Sequence, residues 1–326
     1  MSRHFSPSPR FIPLMWLVLS MFILSSGAVA DPPAATYSFT ILEVPGATST
    51  IPTSINNDGQ VVGHPGGVGG SSFIYGNGTF TTLDVPGTTT QAKSINDGGQ
   101  VVGDYFDGSR GYGFVYSNGA FTTLGVPGAT GTSATDINDS GQVAGFYLDG
   151  SGQHGFVYSN GAFTTLDVPG AVRTSAESIN NHGQVAGFYL DGSGQHGFVY
   201  SNGAFTTLDV PGVTLATDIN DSGQVTGLYY DNDSVGHGFV YSNGTFTTLD
   251  VPGAVRTYAE SINNHGQVTG YYHARVGSSI YTYGFIATPM VTDIPTLSQW
   301  ALLLAGLLLA GIAWRALVGR PPALRR

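Results

Sequence analysis

Hydrophobic residues in this chain fall in two arrangements. Unbroken apolar runs occupy residues 11 to 24 and 301 to 314, whereas residues 37 to 288 hold short apolar stretches separated by Gly, Asn, Asp, Ser and Pro. In that interior one pattern recurs: S/D-I-N-x-x-G-Q-V-x-G, a variable stretch, then G-F-V-Y-S-N-G-x-F-T-T-L-D-V-P-G. The Gly of Gly-Gln-Val stands at 59, 99, 141, 183, 223 and 266, and the Pro of Val-Pro-Gly at 45, 86, 127, 169, 211 and 252. A period of 40 to 43 residues is that of a propeller blade. Each copy divides into four short strands, expected in one copy at 134 to 137, 142 to 148, 155 to 159 and 162 to 168. Asn160-Gly161 fits the type I′ hairpin turn and recurs at Asn77, Asn118, Asn202 and Asn243. Val168-Pro169-Gly170 places Pro and Gly where a type II turn needs them. In the fourth strand Phe163 and Thr165 face one side and Thr164, Leu166 and Val168 the other. Both faces are apolar or small, which suits a blade packed between two neighbours.

The strand count predicts closure. The first unit is a lone fourth strand at 39 to 44, and the last ends on a lone third strand at 284 to 288. Pairing the first with the last three gives six of each kind and leaves no open edge. The expected fold is all-β: a six-bladed β-propeller of four-stranded antiparallel blades, closed by the N-terminal strand, in a domain over 31 to 289. An open β-solenoid is the alternative, although it needs no complementary end fragments. With INDSGQV, HGF and S-N-G-x-F-T-T-L in view, the repeats resemble the HAF family of extracellular repeats over most of 37 to 288. Departures are Gly for Ala in the HAF triplet, Tyr for Trp after it and VPG for the Gly-rich turn, with His kept at His154, His196 and His237. That resemblance implies an extracellular repeat protein and no defined activity.

The ends set the address. Residues 1 to 30 read as a signal peptide, with Arg3 and Arg10 before the apolar run and Ala28-Val29-Ala30 as a small-x-small cleavage site. An uncleaved anchor is the alternative, but the run is short for a span of about 20 residues. At the other end, over 290 to 326, Ile294-Pro295-Thr296-Leu297-Ser298-Gln299-Trp300 precedes the apolar run at 301 to 314 and then Arg315, Arg320, Arg325 and Arg326. A hydrophobic helix followed by Arg predicts a transmembrane segment with a cytoplasmic end. This tail resembles the IPTL-CTERM sorting domain of Gram-negative bacteria, through Ile294, Pro295, Thr296, Leu297 and Trp300. The resemblance implies two partners, the membrane and a membrane-embedded sorting enzyme, and delivery to the cell surface. A plain single-span anchor would face the same compartment.

Charge narrows the partners. All 21 acidic residues lie between 31 and 293 against five basic ones (Lys93, Arg110, Arg173, Arg256 and Arg275), a net of −16. Such a field disfavours nucleic acid, which needs Lys and Arg against its phosphates. Without cysteine there are no disulfides or thiolate metal sites.

Loop lengths locate the adaptable face. The third-strand Phe and fourth-strand Phe are always seven residues apart, whereas the Gly of Gly-Gln-Val to the third-strand Phe spans 14 to 19. The second-to-third loops and the inter-blade connections share one face of a propeller, and both vary here. That face carries Asp107, Arg110, Asp149, His154, Arg173, Asp191, His196, Asp231, Asp233, His237 and Arg256 as candidate ligand-binding residues for a glycan or a surface protein. Solvated loop residues would give the same pattern. Asp136-x-Asn138-x-Ser140-Gly141 imitates the start of a calcium loop but lacks the bidentate carboxylate at its end, so no metal or cofactor is expected. His182 and His265 lack a third zinc ligand. No nucleophile elbow, H-E-x-x-H or phosphate loop appears. Residues 145 to 170 and 187 to 212 are identical over 26 positions, and near-identical blades repeat the same groups, which suits multivalent binding or scaffolding better than catalysis. The alternative is an extracellular polysaccharide hydrolase or lyase on the same scaffold.

Overall fold

The computed structural model describes residues 36–66, 71–86, 88–208 and 213–290, together with Leu309. The signal peptide expected over 1 to 30 lies outside these residues, as does the tail helix expected over 301 to 314 apart from Leu309. Among the described residues no helix is long and apolar enough to cross a membrane.

The chain opens with β1 (Thr36–Leu42). The first blade follows as β2 (Thr50–Ile55), β3 (Val61–Pro65), β4 (Ser72–Gly76) and β5 (Thr79–Leu83). The second is β6 (Thr89–Ile95), β7 (Val101–Phe106), β8 (Gly111–Ser117) and β9 (Ala120–Leu124). The third is β10 (Gly131–Ile137), β11 (Val143–Leu148), β12 (Gln153–Ser159) and β13 (Ala162–Leu166). The fourth is β14 (Arg173–Ile179), β15 (Val185–Leu190), β16 (Gln195–Ser201) and β17 (Ala204–Leu208). The fifth is β18 (Val213–Ile219), β19 (Val225–Tyr230), β20 (Gly236–Ser242) and β21 (Thr245–Leu249). The sixth takes β22 (Arg256–Ile262), β23 (Val268–Val276) and β24 (Ser279–Met290) from the C-terminal end, and β1 completes it.

This is a closed six-bladed propeller of four-stranded antiparallel sheets. β1 pairs with β24 from Thr36↔Met290 to Leu42↔Gly284, so the closure expected from the strand count is the one observed. The inner strands β2, β6, β10, β14, β18 and β22 pack in succession, and β22 packs back on β2. Turn chemistry follows the sequence. Asn160 and Gly161 have φ of 51° and 84°, the two positive values of a type I′ turn. Gly170 has φ of 83° and Ala171 N donates to Val168 O at 3.1 Å, as a type II turn requires.

The core lies between blades. At the junction of blades two and three, Val102 and Leu124 pack against Ala134, Ile137, Val143 and Phe156. Phe156 is fully buried and meets Phe163 edge-on at 5.1 Å. Burying a ring of that size contributes about 2–3 kcal/mol, and Phe114, Phe198, Phe239 and Phe285 repeat it. The motif Phe thus carries each junction.

One irregularity positions everything in the centre. Every inner strand slips register against its neighbour by one residue, as between Ala134 and Asp136. The bulge lets two successive residues, Thr135 and Asp136, both face the central channel. Opposite it stands the Gly of the V-x-G triplet. At Gly145 a Cβ would collide with Ser133 O and come 2.6 Å from Phe156 Cζ.

Candidate functional site

Four layers of polar groups line the channel. Outermost is a ring of Asn57, Asp97, Asp139, Asn181, Asp221 and Asn264, in which each backbone N–H donates to the next side chain at 2.8–3.0 Å. Beneath it Asn56, Asn96, Asn138, Asn180, Asn220 and Asn263 are buried, each Nδ2 donating to the next blade's Asn carbonyl at 3.0–3.1 Å. The circle closes from Asn263 onto Asn56. Each Asn also clasps its own turn: Asn138 Oδ1 accepts from Gln142 N at 3.0 Å and Nδ2 donates to Gln142 Oε1 at 2.9 Å. The I-N-x-x-G-Q motif therefore does more than turn the chain. Its Asn is also the clasp between blades, its Gln holds that Asn side chain, and Gly141, at φ 75°, makes the turn that brings the two together.

The third layer is Ser54, Ser94, Asp136, Ser178, Asp218 and Ser261. Ser178 Oγ lies 2.7 Å from Asp136 and also bonds Asp218, its single proton serving one of the two, and Ser261 donates to Asp218 at 2.6 Å. Burial first, and the neighbouring Asp136 second, push the Asp218 carboxyl up to about 6. The fourth layer holds the bulge residues: Thr53, Thr135 and Thr217, with Lys93, Glu177 and Glu260 among them. Lys93 Nζ sits 2.8 Å from Asp104 and 2.7 Å from Ser133 Oγ. Glu177 accepts from Ser175 Oγ, and burial raises its carboxyl. Burial and then Glu177 push Glu260 up to about 7.

The channel is narrow, with about 80 Å³ at the Asn-ring end and about 20 Å³ beneath. These layers hold the ring together. The folded state keeps Glu260 protonated at pH values where the unfolded chain, near 4.3, has lost that proton. Stability should rise as pH falls through about 7 and level off near 4. Glu260→Gln is expected to remove this residue's share of the dependence, gaining about 3 kcal/mol at pH 8 and about 1 kcal/mol at pH 5. Denaturant melts of parent and variant at the two pH values check it; an equal difference at both would contradict the assignment.

On the opposite face, the mouth, the second-to-third loops meet the inter-blade connections: Thr130 N donates to Leu148 O at 2.6 Å and Val172 N to Leu190 O at 2.7 Å. Most candidate residues make contacts within their own blade. Asp107 and Asp149 cap their loops, accepting from Ser109 N at 2.8 Å and Ser151 N at 2.7 Å, and Asp191 accepts from Ser193 N at 2.7 Å. His154 stacks on Tyr147 and bonds Asp167 at 2.7 Å, the bond that chiefly raises its pKa. His196 stacks on Tyr189 and lies 2.9 Å from Ser193 Oγ. His237 stacks on Tyr229 and reaches Asp250 at 2.8 Å and Asp231 at 3.3 Å, while Asp233 is exposed. Arg173 lies over Phe188 and donates to Gln195 at 3.2 Å; Arg256 crosses to Ser234 O at 3.4 Å. Among the described residues no group of three or more His, Cys, Asp or Glu is placed to hold a metal ion.

Arg110 is different. It borders a cleft of about 470 Å³ between blades two and three, with Gln91, Asp104, Phe106, Ser133, Phe146 and Leu148. Phe106 and Leu148 are 52% and 42% exposed. The sequence reading missed every member but Arg110. Its signal was in the repeat alignment: Gly131 stands where blades four and six carry Arg173 and Arg256.

The IPTL-CTERM motif family matches residues 294–326, so the tail is a sorting motif. It marks the chain for export and cell-surface targeting. No curated protein matches the chain. Among solved structures, virginiamycin B lyase from Staphylococcus aureus is similar at 11% identity, over 78% of this chain and 100% of its own, with a TM-score of 0.43. Aleuria aurantia lectin, in complex with α-methyl-L-fucoside, shows 11% identity over 81% and 99%, at 0.44. The β-propeller domain of the Trilobed protease from Pyrococcus furiosus shows 10% over 80% and 89%, at 0.45. At such values the likeness carries nothing about ligand or reaction.

Proposed function

We propose that the protein is made with a signal peptide over 1 to 30, cleaved after Ala30, and carries a transmembrane helix over 301 to 314 that a membrane-embedded sorting enzyme processes. At the surface its propeller is a non-catalytic binding module, taking a glycan or a surface protein on the mouth. The open cleft at blades two and three supports this reading most directly, since the channel is narrow and most loop Asp and His side chains are engaged within their blades.

The path of the chain agrees. β24 runs from Ser279, at the mouth, to Met290 on the Asn-ring side, where Gln267 Nε2 meets Thr288 Oγ1 at 3.3 Å. β24 ends on that side, and the cleft opens on the other.

The test uses the full chain in detergent, offered to a glycan array and to envelope extracts of the producing cells. Retention of a glycan or a surface protein is expected, and two empty captures would sink the reading. Removal of 294 to 326 should move the protein from the envelope to the medium.

A further inference from the structure

The geometry points to one neutral pyranoside site in this molecule, the cleft between blades two and three, gated by Gly131 and read by Arg110. The inference rests on the binding-module reading above and names the ligand class of that surface.

The repeat sets the site apart from its counterparts in blades four and six. At the start of β14 and β22 stand Arg173 and Arg256, the first lying over Phe188 of its own blade and the second reaching the loop of the preceding blade. β10 begins instead with Gly131, and an added Cβ there would meet nothing closer than Leu148 Cδ1 at 3.8 Å. Phe146, the counterpart of Phe188, lines an open cleft, with Lys93 Nζ of the neighbouring blade 5.7 Å from its ring centroid. Arg110 is equally particular, because the corresponding positions of blades three and four are Gly152 and Gly194.

The lining decides the chemistry. A volume of about 470 Å³ lies within the ordinary range for small-ligand sites. Phe106, Phe146 and Leu148 offer apolar surface, and a ring face with its negative quadrupole suits the polarised C–H face of a pyranose. Arg110 is held over Tyr112 at 5.0 Å, and its one hydrogen bond, Nη2 to Val126 O, is long at 3.4 Å. Its Nε is buried without a partner, so the donors it can offer the cleft are those of its two Nη groups. Asp104 accepts both Lys93 and Ser133 on Oδ2, which leaves Oδ1 to receive a sugar hydroxyl. That carboxylate, and the −16 of the repeat region, oppose a uronate or sulfated chain. Donor, acceptor and apolar face together match a neutral ring bearing vicinal hydroxyls.

The full chain in detergent is titrated with cello-, malto-, manno- and galacto-oligosaccharides and, in parallel, with oligogalacturonate and alginate fragments. At least one neutral series should bind. Gly131→Arg places in this blade the side chain that two others already carry, so it should fold, and it should weaken that binding at least tenfold. Arg110→Ala should do likewise, with an unchanged melting temperature as the control for both. Binding of the neutral series that survives both variants would place the site elsewhere on the mouth and overturn the inference while leaving the binding module standing. Capture of only the anionic fragments, or of no saccharide at all, would overturn the ligand class.

Discussion

A chain beginning at Glu43, without β1, is expected to accumulate as insoluble or self-associated protein, losing about 5 kcal/mol or more, as much as the whole stability of many domains. β1 fills the outer position of the sixth blade along seven residue pairs, Thr36↔Met290 to Leu42↔Gly284. Leu42 is 5% exposed and belongs to the core between blades six and one, with Ile55, Val61 and Phe73. Phe39 packs edge-on against the fully buried Phe285 at 5.7 Å. Each of these side chains contributes about 2 kcal/mol by burial. Their removal also bares β24, whose Phe285, Ile286 and Ala287 would then stand on an unpaired, apolar sheet edge, the kind that recruits other chains. Size-exclusion chromatography and a thermal melt of 43–326 against 36–326 decide the matter. A monomer with the parent's melting temperature would show that closure by β1 is dispensable.

Gly145→Ala should cost at least about 3 kcal/mol, a fall near 10 °C in melting temperature for a domain of this size. The added methyl would collide with the carbonyl of Ser133 and crowd the ring of Phe156, which is itself fully buried. Neither can retreat: the carbonyl belongs to β10, which is paired with β11 and packed between β6 and β14, and the ring is wedged between blades. Gly63, Gly103, Gly187, Gly227 and Gly270 face the same obstruction from Ile51, Gln91, Ser175, Leu215 and Tyr258, so the effect should recur in every blade. Gly150→Ala is the contrast, since a Cβ there meets nothing within 4 Å, and its melting temperature should stay within a degree or two of the parent. Circular dichroism melts of the two variants make the comparison.

Much of this architecture was readable from the chain because its causes are local and repeated. Asn160-Gly161 can make one kind of hairpin, Val168-Pro169-Gly170 one kind of turn, and six repetitions of each left little freedom in the strand count. The permuted ends were legible for the same reason. The site was not. Lys93, Glu177 and Glu260 occupy a position where other blades carry Thr, and only the register slip of each inner strand turns that position into the channel. Likewise the cleft is made by what Gly131 lacks, and a missing side chain gives no pattern unless its counterparts are compared. The loop Asp and His side chains drew attention because they are polar and recur, yet recurrence there reflects loop caps such as Asp149 on Ser151 and stacks such as His154 on Tyr147. A repeated polar group in a repeat protein is first a part of the repeat.

The pairing of β1 with β24 also bears on how the protein leaves the cell. Leu42 emerges early from the ribosome, and its partner Gly284 follows some 240 residues later. At about 5–20 residues per second the interval is roughly 10 to 50 seconds, during which the sixth blade lacks its inner three strands and the ring of Asn carbonyls has a gap. No earlier fragment can close. A ring that cannot close until its last blade appears keeps β1 without its partner until then, a delay that suits a chain marked for export.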